Sequence, residues 1–207
     1  MEILNRKTGI ILAMIFVVAG LIAQDTDKII GAFKESYALE EEGKYKEAVS
    51  KLKAVYQESS YELNLRMGWL SYQAGALDDS ELYYKKALKI MPLSIEAKLG
   101  LAYPLSSNAK WDELYKMYLS ILEISPKHTV ANYRLGLIHY NKAEYLKAKD
   151  YFGIVVELYP FDYDALLMYG WTHLQLGKYN EAKVLFNKVL MYSPDDSSAL
   201  EGLSYIK

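Results

Sequence analysis

Two of the three histidines, His139 and His173, are the side chains best suited to metal binding or proton transfer in this chain of 207 residues. They occupy matching positions of a repeated helical pattern. Neighbouring helices pack about 8–10 Å apart, too far for both imidazoles to reach one metal ion at about 2.1 Å. We therefore interpret both as core residues. His128 has no cluster of potential metal ligands beside it and carries no hypothesis.

Three runs of carboxylates have the residue type for paired acid–base catalysis or Ca²⁺ binding: Glu40-Glu41-Glu42, Asp78-Asp79 and Asp195-Asp196. Each run falls at the end of a predicted helix or in a turn. Both Asp pairs precede helices whose N-terminal dipole favours negative charge. A solvated surface therefore explains these runs better than a catalytic site.

Motifs that carry common enzyme chemistry are absent from the sequence. It contains no GxGxxG, GxxxxGK[ST], GxSxG, HExxH or EF-hand loop. The lack of cysteine excludes thiolate metal ligands and cysteine nucleophiles. With 24 Lys and Arg against 26 Asp and Glu, the chain has no broad basic field to attract nucleic acid. We predict no enzyme, no cofactor, no metal site and no nucleic-acid partner.

The N-terminus has the pattern of a targeting segment, in which two basic residues precede an uncharged and largely apolar stretch, residues 8–24. This pattern is typical of a secretory signal peptide, so we predict a signal peptide over residues 1–23, cleaved after Ala23 or alternatively after Gly20. The stretch also reaches the lower limit of about 17 residues for a membrane span, which leaves an uncleaved anchor as the alternative. We expect an exported protein, periplasmic or extracellular, or one anchored to the inner membrane by residues 8–24.

The prolines reveal an internal repeat, since Pro92, Pro126, Pro160 and Pro194 follow one another at a constant interval of about 34 residues. Small residues that permit close helix approach recur at Ser36, Gly68, Ala102, Gly136, Gly170 and Ser204, and a second set at Ala48, Ser80, Ala148 and Ala182. Bulky residues alternate with them at Leu52, Tyr84, Tyr118, Phe152 and Phe186. The pattern predicts short paired helices that become stable by stacking on their neighbours.

This pattern resembles the tetratricopeptide repeat, most fully in Leu166-Leu-Met-Tyr-Gly-Trp-Thr-His-Leu-Gln-Leu-Gly-Lys-Tyr-Asn-Glu-Ala182, followed by Phe186 and Pro194. The resemblance covers almost the whole chain after residue 23. It implies an all-α fold, a right-handed α-solenoid of stacked helix-turn-helix repeats forming one domain over residues 24–207. The repeats are placed at 29–60, 61–94, 95–128, 129–162 and 163–196, with a capping helix at 197–207.

The third repeat departs from the pattern. Pro104 lies inside its first helix, and Leu114 occupies its second small position. Proline removes a helical hydrogen bond and crowds the preceding turn. Pro104 therefore predicts either a simple kink that Gly100 eases or a functional bend that widens the groove.

Proteins of the tetratricopeptide-repeat family bind partners on a concave face lined by the first helix of every repeat. Matching the family's groove positions to this sequence gives an aromatic stripe with two arginines: Phe33, Tyr37, Leu65, Arg66, Trp69, Tyr72, Tyr103, Tyr133, Arg134, Tyr140 and Trp171. Glu40 and Leu99 are among the further groove positions. The Lys and Asn pair that marks the carboxylate-clamp subclass is absent.

The resemblance implies a protein or peptide partner, with Trp69 and Trp171 as candidate anchors. Arg66 and Arg134 predict two spaced acidic groups in an extended ligand, unless they pair internally with Glu62 or Glu96. We predict a non-enzymatic interaction scaffold of the bacterial cell envelope that binds an extended protein segment. The alternatives are a carbohydrate or cell-wall-fragment binder and a structural subunit of a membrane-associated complex. Membrane contact is expected only through an uncleaved N-terminus or a partner complex.

Overall fold

The computed structural model describes residues 25–206, where the chain forms eleven α-helices and no β-strand. The helices are α1 (25–41), α2 (Tyr45–Lys53), α3 (Tyr61–Gln73), α4 (Leu77–Ile90), α5 (Ile95–Ser107), α6 (Trp111–Ile124), α7 (Thr129–Asn141), α8 (Tyr145–Leu158), α9 (Tyr163–Gln175), α10 (Tyr179–Tyr192) and α11 (Ser197–Ser204). The predicted all-α class is confirmed. None of the helices within residues 25–206 combines the length and apolarity that a membrane span requires. The predicted signal peptide, residues 1–23, and the predicted anchor, residues 8–24, lie outside the described residues.

The odd-numbered helices from α3 to α11 start at a constant interval, and a polar side chain marks each start. These N-cap side chains accept a hydrogen bond from a backbone N–H of the first turn: Ser60, Ser94, His128, Asp162 and Asp196. Each satisfies a donor that the helix itself leaves without a partner. His128, which carried no hypothesis from the sequence, caps α7 with its Nδ1 at 3.3 Å from the Ala131 nitrogen.

Every even-numbered helix follows a tight turn that contains one residue with a left-handed backbone. Gly177 adopts a φ of 71° there, and Ala143, at the equivalent position one repeat earlier, adopts 57°. Glycine reaches this conformation freely, whereas a Cβ makes it unfavourable by about 1–2 kcal/mol. Ala143 is therefore a strained residue that the packing of α7 on α8 holds in place.

Ala143→Gly is expected to raise the free energy of unfolding by about 0.5–1 kcal/mol, because relief of strain exceeds the added entropy of the unfolded chain. The reverse change, Gly177→Ala, is expected to lower it by about 1 kcal/mol. Chemical denaturation measures both. Shifts of the same sign in the two variants would contradict the assignment of strain to this turn position.

Rings on the second helix of a pair fill the space that glycines leave on the first. The predicted bulky residues are all buried: Leu52, Tyr84, Tyr118, Phe152 and Phe186. A Cβ on Gly136 would lie 2.6 Å from the Phe152 ring, and one on Gly170 would lie 2.9 Å from the Phe186 ring. Both distances are shorter than a packed core permits, so the predicted close approach at these glycines is confirmed.

The last predicted small position is wrong. Ser204 is exposed, and Gly202 makes the close approach instead, since a Cβ there would lie 2.3 Å from the Phe186 ring. Gly100 has the same role at the Tyr84 ring, where a Cβ would lie 2.2 Å away. Each of these glycines contacts the second helix of the preceding pair, which shifts the close approach by two residues from the predicted position.

The described residues form two compact units, unit 1 (25–108, α1 to α5) and unit 2 (109–206, α6 to α11). The boundary falls inside the predicted third repeat, near Pro104. That proline is buried in α5, and the helix continues through it to Ser107. The single domain over residues 24–207, its repeat bounds and a groove-widening role for Pro104 stay predictions.

Candidate functional site

A cavity in unit 1 is lined by α1, α3 and α5, with one residue from α4. Its volume is about 690 Å³, within the range of about 300–1,000 Å³ that ligand sites occupy. Six of the predicted groove residues line it: Phe33, Tyr37, Leu65, Arg66, Trp69 and Tyr103. Tyr72 lies beside it, with its ring centroid 6.2 Å from that of Trp69. The structure thus brings the predicted residues of unit 1 together at one site.

The rings at this cavity, here called the aromatic cluster, form two groups in ring contact: Phe33 with Tyr37, and Trp69 with Tyr72 and Tyr103. The Tyr103 centroid lies 5.9 Å from that of Trp69 and 5.2 Å from that of Tyr72, and Phe33 lies 6.4 Å from Tyr37. Tyr37 is 52% exposed and Tyr103 is 48% exposed, so solvent reaches both rings. Aromatic side chains in such positions become anchors when a partner covers them.

Arg66 is held inside the protein by contacts with α1. It is 9% exposed, its Nη1 pairs with Glu40 Oε2 at 2.5 Å, and its Nε donates to the Ser36 hydroxyl at 3.3 Å. The guanidinium carbon lies 3.8 Å from the centroid of the Tyr37 ring. Nη2 is buried and has no acceptor among the described residues. The charge of Arg66 is therefore compensated by Glu40, and the guanidinium belongs to the packed interior of unit 1.

Glu40 corrects two expectations from the sequence. Its second oxygen, Oε1, accepts a hydrogen bond from Trp69 Nε1 at 2.5 Å, and only 23% of its side chain is exposed. The solvated-surface interpretation is therefore wrong for this residue. Arg66 does pair internally, but its partner is Glu40 rather than Glu62 or Glu96, because α1 packs directly on α3.

Two carboxylates that sequence reasoning did not assign to the groove also line the cavity. Glu62 and Glu96 are exposed, and each is the second residue of its helix, α3 or α5. The Ser60 hydroxyl donates to Glu62 Oε2 at 3.0 Å, and the Tyr61 hydroxyl donates to Glu96 Oε2 at 3.3 Å. Burial raises the pKa of Tyr61, which favours its role as a neutral donor. Their spacing of one repeat, two residues after the caps Ser60 and Ser94, is the signal that could have identified them.

The groove residues predicted in unit 2 have different neighbours from those in unit 1. Tyr133 is half-buried and packs on the Phe152 ring, with 5.7 Å between centroids. Arg134 is exposed, with its guanidinium carbon 6.0 Å from the Tyr133 centroid, so it differs from the buried and paired Arg66. Tyr140 contacts the Tyr145 ring at 5.4 Å.

Trp171 joins α9 to the C-terminal helix. Its ring centroid lies 5.4 Å from that of Phe186, and its Nε1 donates to the Ser198 hydroxyl at 2.9 Å. It also lines a second cavity of about 330 Å³, to which α11 contributes Glu201. Trp171 therefore serves first to dock α11, the predicted capping helix.

The two histidines with matching positions are buried, which confirms core packing for both. His139 Nδ1 lies 2.7 Å from Glu144 Oε2, and its ring stacks on Tyr151 at 5.3 Å. Hydrogen bonds from Lys147 and from His139 hold the pKa of Glu144 below its ordinary value. Within residues 25–206, no three potential ligands come together in a group that would hold a metal ion.

His173 predicts a pH-dependent stability, because neither of its buried ring nitrogens has a hydrogen-bond partner among the described residues. Burial, followed by the charge of Lys178, lowers its pKa below 6.5. The unfolded chain then binds a proton before the folded protein does as the pH falls. We expect stability to be complete above about pH 6.5 and to fall below it, by at most about 1.4 kcal/mol for each pH unit.

Denaturant titrations from about pH 7.5 to about pH 5 measure this dependence. His173→Phe keeps an aromatic ring against Tyr169, whose ring centroid lies 4.5 Å from that of His173, and removes the titrating group. The variant is expected to lose this part of the pH dependence. An unchanged slope in the variant would show that another group is responsible.

Paired helices that recur at a constant interval, rings packed on glycines and an aromatic cavity on the first helices define a helical-repeat scaffold. Family profiles described as tetratricopeptide repeat match residues 130–162 and 163–196. Residues 130–196 of the chain therefore carry tetratricopeptide repeats. No curated protein matches it.

Solved structures share the fold. A tetratricopeptide repeat protein from Parabacteroides merdae is 22% identical with a TM-score of 0.74, and the match covers 87% of this chain and 72% of that one. MamA from Desulfovibrio magneticus is 20% identical with a TM-score of 0.69, over 83% of this chain and 98% of that one. MamA of strain AMB-1 is 21% identical with a TM-score of 0.68, over 86% and 96%. The predicted α-solenoid class is confirmed. The repeats support a protein-interaction scaffold, a class that is typically not enzymatic.

Proposed function

We propose that the protein is a scaffold of the bacterial cell envelope that binds an extended protein segment at the cavity of unit 1. The observation that carries the proposal is the meeting of two exposed rings, Tyr37 and Tyr103, at one cavity of about 690 Å³. A partner that covers these rings removes apolar surface from water, and aromatic side chains of this kind become binding anchors. An extended segment offers apolar side chains that cover both rings.

The predicted pair of acidic groups in the ligand is not carried into this proposal. Glu40 already compensates the charge of Arg66, so a ligand carboxylate gains little there. Arg134 is exposed and belongs to unit 2. The spaced acidic groups therefore stay a prediction from the sequence.

The envelope location rests on the N-terminal sequence. If residues 1–23 are a signal peptide, the natively produced chain begins at Gln24 and lies outside the cytoplasm. Intact-mass measurement after cell fractionation tests this. A full-length chain in the membrane fraction would favour the anchor, and a full-length chain in the cytosol would contradict both forms of the proposal.

Photocrosslinking in the native host tests the binding site. A photoreactive phenylalanine analogue replaces Tyr103, and in a matched control it replaces Tyr159, which is 57% exposed in unit 2. We expect position 103 to crosslink to one protein segment, identified by mass spectrometry, that position 159 does not reach. Crosslinks to glycan, or equal crosslinks from both positions, would contradict the proposal.

A further inference from the structure

We propose that the cavity of unit 1 selects a segment in which a Lys or Arg side chain is flanked by apolar residues. The inference rests on the proposed function and names the chemistry of the partner at the same site. It follows from the charges that line the cavity and from the apolar surface between the helices that carry them.

The uncompensated charge at this cavity is negative. Glu62 and Glu96 are exposed, and each has one oxygen held by a neutral hydroxyl and no cationic partner among the described residues. Arg66 is the one cation among the described lining residues, and Glu40 neutralises it from the side of α1. A ligand cation therefore finds two carboxylates, whereas a ligand carboxylate would be repelled by both.

The cavity also suits the long stem of a basic side chain. Leu65 and Leu99 line it beside the aromatic cluster. Lys and Arg cover apolar surface with their methylene groups while the charged end stays among polar groups. The guanidinium of Arg66, 3.8 Å from the Tyr37 centroid, shows that a ring of this cavity accepts a cation.

The apolar lining adds the second half of the recognition. A free amine or a small quaternary ammonium compound covers little of the surface that Leu65, Leu99 and the aromatic cluster provide. The combination of carboxylates and apolar surface favours a basic residue with apolar neighbours in a polypeptide.

Selection from a phage-displayed library of random peptides, roughly a dozen residues long, against the full-length chain tests the inference. We expect Lys or Arg with apolar neighbours to be enriched about fivefold or more over the starting pool. Peptides from that pool are expected to bind Glu62→Gln/Glu96→Gln about tenfold more weakly and to lose affinity as salt is added. The double variant Glu41→Gln/Glu123→Gln removes the same charge from exposed positions outside the cavity lining and is expected to bind normally.

The outcomes separate the inference from the proposed function. A pool enriched in Asp and Glu, or basic peptides that bind both double variants equally, would overturn the inference and leave a peptide-binding groove in place. A pool with no enriched peptide, or peptides whose binding is unaffected by Tyr103→Ala, would overturn the proposed function itself.

Discussion

Replacing Gly100 with alanine is expected to lower the free energy of unfolding by about 1–3 kcal/mol, although alanine is the better helix former. A Cβ at this position would lie 2.2 Å from the Tyr84 ring. The ring cannot move aside, because it is only 3% exposed and Gly68 contacts it from α3. Overpacking therefore outweighs the gain in helix propensity. Urea denaturation of the full chain, followed by circular dichroism, measures the change.

Gly31→Ala is the matched control. It is the same substitution in α1, where a Cβ meets nothing within 4 Å, so we expect stability to rise by about 0.5–1 kcal/mol. Shortening the ring with Tyr84→Leu in the Gly100→Ala background should recover part of the loss, since neighbouring substitutions couple. A loss in Gly31→Ala equal to that in Gly100→Ala would disprove the packing explanation.

Glu40→Ala is expected to be the second severe substitution, at about 3 kcal/mol. It leaves the guanidinium of Arg66 buried without its carboxylate and removes the acceptor of Trp69 Nε1. Loss of one partner from a buried ion pair costs about 3–5 kcal/mol, and partial access of water to Glu40 places this case at the lower end. Thermal and chemical denaturation measure the loss.

The double variant Glu40→Leu/Arg66→Met provides the decisive comparison, because exchanging both partners for apolar residues leaves no unpaired charge. We expect it to regain most of the stability that Glu40→Ala loses. Glu35→Ala removes a carboxylate from the same helix, but its pair with Lys51 is more than half exposed, so no measurable change is expected. If Glu35→Ala were as destabilising as Glu40→Ala, the loss would reflect α1 in general and not the buried pair.

The sequence was sufficient for the helical-repeat fold because its signals are local and periodic. Proline at a fixed interval marks the turns between helix pairs, and glycines such as Gly136 and Gly170 identify the contacts within the pairs directly. The groove positions followed from the resemblance to the tetratricopeptide repeat. For unit 1, this placed residues such as Tyr37, Trp69 and Tyr103 at one cavity, as the structure shows.

The positions that were wrongly predicted depend on contacts between neighbouring helix pairs. The repeat period alone does not define those contacts. Gly100 and Gly202 contact the preceding pair, so their role lies two residues away from the repeated small position. Glu40 stands in an acidic run at the end of α1, and nothing in that run distinguishes the carboxylate that turns inward to Arg66. In the sequence, Glu62 and Glu96 resemble ordinary acidic residues of a first helical turn. Only the structure shows that both line the cavity.

Arg66 and Arg134 occupy equivalent positions of the repeat but differ in their burial and in their partners. Arg66 has Ser36 and Glu40 on α1, the first helix of the preceding pair, and becomes buried. Arg134 lies beside Tyr133 and remains exposed. Sequence position within the repeat predicts the face of the helix, whereas the neighbouring helix decides whether the side chain is available to a ligand.

The central claim is tested most directly with the crosslinked protein segment, made as a synthetic peptide. The measurement compares the affinity of the Tyr103→Ala and Tyr159→Ala variants for this peptide. Both tyrosines are about half exposed, so neither substitution should alter the melting temperature appreciably. We predict that Tyr103→Ala binds the peptide about tenfold more weakly than the unaltered chain and that Tyr159→Ala binds it equally well. Equal affinity of the Tyr103→Ala variant and the unaltered chain would contradict binding at the cavity of unit 1.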